Sequence, residues 1–499
     1  MSKSPKTTLC AHVPPEISNV TSTLEKNGFE AYIIGGCTRD LLLGRKPKDW
    51  DVTTNATPEE IIKLFPKTFY ENNYGTVGIV NESTEDETLK IVEVTPYRLE
   101  TGYSDFRRPD SVTFSKNIKD DLARRDFTIN AIALRQVGDD KEEIVDLFEG
   151  QNDLSEKIIK TVGDANERFG EDALRMMRAV RLHAELGFSI ASDTQKAIKD
   201  NSKLLEKIAK ERVRDELIRI IMSDRPMEAI ETLQKLGLLT YIIPELEKAM
   251  GIEQNQAHSY DVWEHLLRSL QHAADKKWPL DIRIAALLHD ISKPETRRRD
   301  ETKGEWTFYG HDVVGARVSR KTLERLNFPK KLVDKVTKLI RWHMFFTDTE
   351  QITLSAVRRM IVNVSRENIW DLMNLRICDR IGTGRPKEDP YRLRKYKSMI
   401  EEALTDPISV GMLKIDGKRI MDVTHVTPGP KVGQILHALL EDVLEDPKRN
   451  TTEYLENRAQ ELIKLPDLEL KKIGEEGKDK KDEAEAEKLE EIRKKYWVK

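Results

Sequence analysis

Strand-like sequence is confined to one stretch of this 499-residue chain. Between residues 26 and 150, β-branched and aromatic runs (AYIIGG, TVGIV, KIVEVTPY, TINAIAL) alternate with short helical segments. From about residue 151 onward the apolar residues fall at helical spacing, as in DALRMMRAVRLHAEL and KERVRDELIRIIM, with glycine and proline between helices. A chain patterned in this way builds its sheet early and buries the rest of its apolar surface among helices. The expected fold is an α/β head with a mixed sheet, followed by all-α regions.

Charged residues make up 34% and hydrophobic residues 38%, which suits a soluble, helix-rich protein. No run approaches 18 apolar residues, so no membrane span is expected. The N-terminal MSKSPKTTLCAHVPPE lacks the apolar centre of a signal peptide. Cys10, Cys37 and Cys378 are odd in number and far apart, which points to a reducing, cytoplasmic setting. The net charge of −4 means that any nucleic-acid surface must arise from segregated charge.

The densest chemical signal is IIGGCTRDLLLGRKPKDWDVTTN at residues 33–55. Read as a strand, DWDVTT places Asp49 and Asp51 on one face, where two carboxylates repel unless a cation lies between them. Mg²⁺ suits small carboxylate groups that act together with substrate phosphates. Gly35 and Gly36 let backbone approach a phosphate, and a helix starting near Thr38 offers unpaired N–H groups. Either pair of residues taken singly also fits a tight turn before an edge strand. Their order, on strand, helix and strand, favours a triphosphate held by glycines and its metals held by aspartates. Glu93 in KIVEVTPYR, with Val92 and Val94 pointing the other way, is a candidate third carboxylate.

In RFGEDALRMMRAVRLHAELGF, expected as one helix, Asp172 and Arg175 share a face, and Arg178 and Arg181 extend the row. A plain helical ion pair would look the same. A chemical use is also available. Cytosine and adenine each offer an exocyclic amine beside an unprotonated ring nitrogen, matching a carboxylate acceptor and a guanidinium donor. Guanine and uracil offer the reverse.

These stretches, with YGTVGIV, SDFRRPDSVTF and DDLARRDFTINAIAL, resemble the bacterial-type (class II) tRNA nucleotidyltransferases of the poly(A) polymerase family, the CCA-adding enzymes. The resemblance spans nearly the whole chain. It implies an N-terminal extension (1–25), a nucleotidyltransferase head (26–150), a helical neck (151–225), a helical body (226–385), a tRNA-binding tail (386–465) and a charged C-terminal extension (466–499). It implies catalytic metal at Asp49 and Asp51 with Glu93 assisting. Gly36, Arg39 and Arg125 would touch the incoming nucleotide, Asp172 and Arg175 would read C and A, and Arg178 and Arg181 would lie beside them. SDFRRPD resembles the flexible loop that A addition requires. Thr38 and Trp50 depart from the aliphatic residues more usual there. The implied partners are tRNA, ATP and CTP, with Mg²⁺ in the head and no obligate protein partner. A poly(A) polymerase or an A-only transferase is the neighbouring alternative.

A second constellation lies in the helical half: His265, the adjacent His289 and Asp290, His311, His343 and Asp379. A His-Asp pair inside an apolar helix needs partners, and a divalent ion supplies them. The order resembles HD-domain phosphohydrolases, over about 258–380. That implies His265, His289, Asp290 and Asp379 around one divalent transition metal or Mg²⁺, with His311 and His343 serving a second ion or a phosphate. The substrates so implied are 2′,3′-cyclic phosphates, other damaged RNA 3′ ends, or nucleoside monophosphates. A chain that is chiefly such a hydrolase, with its head a nucleotide sensor, is the alternative from a different class. Residues 313–343 carry nine Lys/Arg and two acids, a candidate RNA-tracking surface, and Lys418, Arg419 and Lys431 are candidate phosphate contacts in the tail.

Overall fold

Among the described residues nine strands form before residue 150: β1 (Ala31–Ile34), β2 (Asp51–Thr54), β3 (Thr68–Tyr70), β4 (Val77–Val80), β5 (Ile91–Pro96), β6 (Arg98–Thr101), β7 (Ser111–Phe114), β8 (Ile132–Gln136) and β9 (Glu142–Asp146). Seven of them make one sheet in the order β3-β4-β5-β2-β1-β8-β9. Only the β2–β5 pair is parallel, so the sheet is mixed, as expected. The chain is described here from a computed structural model, over residues 9–70, 74–102, 111–137, 141–255, 259–302, 304–345, 353–404, 411, 413–445, 447–466, 469–473 and 489–498. β6 and β7 pair as a separate hairpin, and the SDFRRPD segment between them lies outside the described residues.

Alternation along the strands covers both faces of the sheet. Ile33, Val52, Val77, Val92 and Val94 turn to one side, against Ile17, Val20 and Leu24 of the helix Pro15–Lys26 and Ile61 of the helix Pro58–Leu64. Tyr32, Ile34 and Ala133 turn to the other, against Tyr97, Leu122 and Val162. A fully buried aliphatic side chain stabilises by about 1.5–3 kcal/mol, so the helix Pro15–Lys26, although set off by sequence as part of an extension, is held in the head core.

Two features depart from the sequence pattern. Strands recur beyond residue 151, as the short pairs β10 (Ile158–Ile159) with β11 (Ser189–Ile190), and β12 (Arg298–Asp300) with β13 (Glu305–Thr307). Runs of two or three residues are too short to leave a period-2 signature. The helix expected near Thr38 begins two residues earlier, at Gly36, and runs to Leu42. Thr38 and Trp50 are both buried, and the Thr38 hydroxyl donates to the Ile33 carbonyl, so the two unusual residues are accommodated inside the head.

The chain divides into two units, Met1–His343 with Asn374–Arg385, and Met344–Met373 with Pro386–Lys499. The first holds the head and the helices that carry both candidate sites. The second is helical, with a core of Ile420, Ile435, Leu439, Leu455 and Leu462 from the helices Gly417–Thr424, Pro430–Glu445 and Thr452–Leu462. Arg419 pairs with Glu456 at 2.6 Å. In the basic stretch 313–343, Arg320 pairs with Asp334, Arg325 with Glu245, Lys335 with Asp281 and Arg341 with Asp312. Much of its charge is therefore met within the fold. Among the described residues no helix is long and apolar enough to cross a membrane.

Gly150, the first residue of the helix Gly150–Glu156, packs against backbone: a Cβ there would lie 2.3 Å from the Thr128 carbonyl oxygen. Backbone cannot swing aside, so Gly150→Ala is expected to destabilise the first unit by about 1–3 kcal/mol. A denaturant midpoint unchanged from wild type would disprove that close approach.

Candidate active site and metal centre

The head site begins at a turn that only glycine tolerates. Gly35 has φ +84°, and a Cβ there would lie 3.2 Å from both Arg125 Nη1 and Asp51 Oδ2. Gly36 then opens its helix into a cavity of about 440 Å³ whose lining includes Arg39, Asp49, Asp51, Asn130, Arg178 and Arg181. The two aspartates thus meet at one cavity, but not as neighbours on one strand. Asp51 is the first residue of β2, whereas Asp49 is exposed and lies in the bend before it. Trp50, buried between them, turns the chain at that point. Burial pushes the Asp51 carboxyl above the usual carboxylate range, against the pull of Arg125, and Asp49 adds to the rise. A buried carboxylate whose charge a neighbouring acid disfavours is a site at which a cation is stabilised.

Glu93 is opposite Asp51 in the parallel β2–β5 register, on the face away from Val92 and Val94. Arg39 is braced: Nε and Nη2 donate to Asp40, and Nη1 donates to Asn130 Oδ1 at 2.8 Å. Arg181 pairs with Glu216 at 2.7 Å.

A second cavity, of about 250 Å³, is lined by Arg124, Arg125, Asp126, Asp172, Leu174, Arg175, Arg178 and Arg212. Here the expected single helix is broken. The helix Ala165–Glu171 ends at Asp172 (φ −137°, ψ 103°), and the next helix runs from Leu174 to Leu186. Asp172 Oδ1 accepts from the Leu174 amide. The Arg175 amide donates to the Asp172 carbonyl at 3.0 Å, but their side chains are not paired with each other. Asp172 is held by Arg212, at 2.8 and 3.3 Å, and Arg175 donates to Glu171 at 2.6 Å and to the carbonyls of Arg124 and Arg168. Both nevertheless line one cavity. Asp126 is fully engaged, accepting from Arg178 at 2.8 Å and from Asn130. Burial works against its charge, yet Arg178 and Arg175 hold its carboxyl well below the usual range.

The six residues singled out in the helical half also converge, all of them buried. His265 comes from the helix Val262–Asp275, His289 and Asp290 from the end of Leu280–Leu288, His311 from the start of His311–Arg325, His343 from the end of Lys330–Trp342, and Asp379 from Ile369–Gly382. They form two sets of donor atoms, His265/His289/Asp290/Asp379 and Asp290/His311/His343, each within 4.8 Å. Asp290 belongs to both. Its Oδ2 lies 3.1 Å from His265 Nε2 and 3.4 Å from His289 Nε2, and its Oδ1 lies 3.2 Å from His311 Nε2 and 3.5 Å from His343 Nε2.

Donor chemistry fits divalent ions. His289, His311 and His343 each turn Nδ1 to a backbone carbonyl, of Ala286, Phe308 and Ile340. That places the proton on Nδ1 and leaves the Nε2 lone pair facing inward. Asp290 Oδ1, His311 Nε2 and His343 Nε2 are buried without a hydrogen-bond partner among the described residues. Such groups are costly to bury unless something fills the space between them. Burial opposes charge on Asp290, yet Lys293 and His289 hold its carboxyl well below the usual range. The Lys293 Nζ lies 2.6 Å from Asp290 Oδ2.

Sequence reading missed Arg212, Asp126 and Lys293. Lys293 follows Asp290 by three residues, a spacing that the sequence displays. Asp126 sits in the charged run RRD. Arg212 lies forty residues from Asp172 and carries no local sign of that partnership.

Comparison with known proteins addresses the family and the fold. Family models match the Poly A polymerase head domain at residues 31–160, the probable RNA and SrmB- binding site of polymerase A at 187–250, and the HD domain at 258–371. Fold and matches together define a nucleotidyltransferase of the poly(A) polymerase class that carries an HD domain. A CCA-adding enzyme of Lactiplantibacillus plantarum is 36% identical over 430 residues, covering 85% of this chain and 90% of that protein. One of Geobacillus thermodenitrificans is 34% identical, covering 86% and 92%. The chain belongs to the family of CCA-adding enzymes. A solved CCA-adding enzyme of Bacillus stearothermophilus, in complex with CTP, has a similar fold, with TM-score 0.58 and 28% identity over 90% of this chain and 98% of that one.

Proposed function

We propose that the chain adds C, C and A in turn to the 3′ end of tRNA, using CTP and ATP and releasing pyrophosphate, without a nucleic-acid template. The observation that carries this reading is the shared wall of the two cavities: Arg178 lines both the one that holds Asp49 and Asp51 and the one that holds Asp172 and Arg175. Mg²⁺ held by Asp49 and Asp51, with Glu93 beside them, would favour loss of the 3′-hydroxyl proton and offset charge on the departing pyrophosphate. Gly35 and Gly36 let backbone approach the triphosphate. Arg39 and Arg125 flank it, Arg39 held stiff by Asp40 and Asn130. Arg178 and Arg181 add positive charge along the same wall.

Base choice rests on Asp172 and Arg175, each oriented by another group. Arg212 fixes the carboxylate, and Glu171 with two carbonyls fixes the guanidinium. A carboxylate accepts about four hydrogen bonds and a guanidinium donates five, so both retain capacity for a base edge. Asp172→Ala is expected to reduce the preference for CTP and ATP over UTP and GTP by roughly one to several powers of ten, since each unpaired polar group in a closed site costs about 1–3 kcal/mol. Arg212→Ala should do so more weakly. Single-nucleotide addition to tRNA ending before C, C and A, with each NTP singly, measures it. Equal slowing of all four nucleotides by Asp172→Ala would make Asp172 structural only. The same substrates decide the activity. CTP alone should extend bare tRNA by two residues, and ATP should then add one. Runs of A would identify a poly(A) polymerase, and addition to CC-ended tRNA alone an A-only enzyme.

The HD cluster is read as a metal-dependent phosphohydrolase that uses a divalent transition metal or Mg²⁺. The cytoplasm is the proposed location, in keeping with three unbridged cysteines.

A further inference from the structure

The hairpin of β12 and β13 lies in the chain between Asp290 and His311, two members of the HD cluster, and none of the roles above uses it. Its register pairs Arg298 with Thr307, Arg299 with Trp306 and Asp300 with Glu305. Alternation therefore puts Arg299 and Trp306 on one face, and the acids Asp300 and Glu305, together with Arg298, on the other. Arg297 joins the first face, its guanidinium carbon 3.7 Å from the centre of the Trp306 ring. The Arg297 Nε is buried and has no hydrogen-bond partner among the described residues. Nearer the cluster, Lys293 Nζ lies 5.5 Å from the Phe308 ring centre and 2.6 Å from Asp290. Phe308 also accepts the Nδ1 hydrogen bond of His311. Tyr309, next in the chain, is 83% exposed. Cations and aromatic rings thus run from solvent to the metal-ligand cluster, while the hairpin's acids face away.

We propose that this face is a docking platform for single-stranded RNA and delivers a phosphate at the strand's end to the HD cluster. The proposal rests on the reading of that cluster as a phosphohydrolase. A mononucleotide brings one phosphate group and one base, and the cluster with Lys293 suffices for it. A strand brings further phosphates and bases, which is what a guanidinium row interleaved with rings binds. An acidic peptide would match the arginines but leave the exposed Tyr309 ring and the partly exposed Trp306 ring unused. The reaction at the cluster is hydrolysis: a water oxygen bonds to phosphorus, the P–O ester bond breaks, and the departing oxygen takes the water's proton.

The test uses the full chain loaded with Mn²⁺ or Ni²⁺. Hydrolysis of a decaribonucleotide ending in a 2′,3′-cyclic phosphate is compared with that of cytidine 2′,3′-cyclic phosphate. The oligonucleotide should be favoured in kcat/KM by about ten-fold or more, because phosphate contacts and base stacking both add to binding. Arg299→Glu, a change at an exposed position, should erase most of that ratio, chiefly through KM, and Trp306→Ala should lower it. Parity between the substrates in the wild type, or equal loss on both in Arg299→Glu, would overturn the proposal. If neither substrate is hydrolysed, the hydrolase reading fails, and binding alone decides the platform. A 4-thiouridine RNA should then crosslink to Trp306 or Tyr309, located by mass spectrometry, and no crosslink in the hairpin overturns it.

Discussion

Replacement of Asp51 by alanine is expected to lower nucleotide addition by three orders of magnitude or more. Asp51 opens β2 at the wall of the larger cavity, with Gly35 packed against its carboxylate and Glu93 opposite in the register. Asp49 is exposed in the preceding bend and so is placed differently. On the proposed reading, loss of the ion assigned to Asp51 would remove several kcal/mol of transition-state stabilisation, and each 1.4 kcal/mol is about ten-fold in rate. Folding should survive, since the side chain lines a cavity and is not part of the apolar core. Tight tRNA binding with addition below a thousandth of wild type, measured in single-turnover assays, is the expected pair of results. Addition by the Asp49→Ala, Asp51→Ala double variant at a tenth of the wild-type rate would remove these residues from the metal site.

The second large effect is expected at Asp290. Its two oxygens face the two halves of the HD cluster, so on the proposed reading Asp290→Asn would take an anionic ligand from both at once. His311→Ala takes one ligand from one half. Metal content, read by atomic emission after dialysis against Mn²⁺ or Ni²⁺, should fall to near zero in Asp290→Asn and only in part in His311→Ala. Phosphohydrolysis should follow the metal, while CCA addition by the same preparations continues, because the head ligands are different residues. Retention of full metal content by Asp290→Asn would mean that the bridging carboxylate is not a ligand.

The head and the metal-ligand cluster were legible in the sequence for different reasons. β1, β2, β5 and β8 carry apolar or β-branched residues in short runs or in alternation, so their existence followed from pattern, and Gly-Gly before Asp-x-Asp pointed to the strand ends that line the larger cavity. The six HD residues were legible because buried His and Asp on apolar helices have few uses besides one another. What stayed hidden was set by tertiary contact. Spacing put Asp172 and Arg175 on one helix face, but the chain breaks at Asp172, whose carboxylate accepts from the next helix's first amide. Asp is a common helix-capping residue, so EDAL did contain a warning of the break. The Asp172 partner, Arg212, comes from the helix Lys210–Met222 and leaves no periodic trace. β12 and β13, at three residues each, fall below the length at which a strand shows itself.

The position of Arg178 bears on how errors are avoided. It touches Asp126 on one side and borders both cavities, so on the proposed reading one wall carries the base-recognition groups and faces the reacting phosphates. A nucleotide whose base edge mismatches that wall can still place its triphosphate, but it sits askew to the attacking hydroxyl. Fidelity in such a layout is exercised at the moment of bond formation, and wrong nucleotides are turned away as slow reactants more than as poor binders.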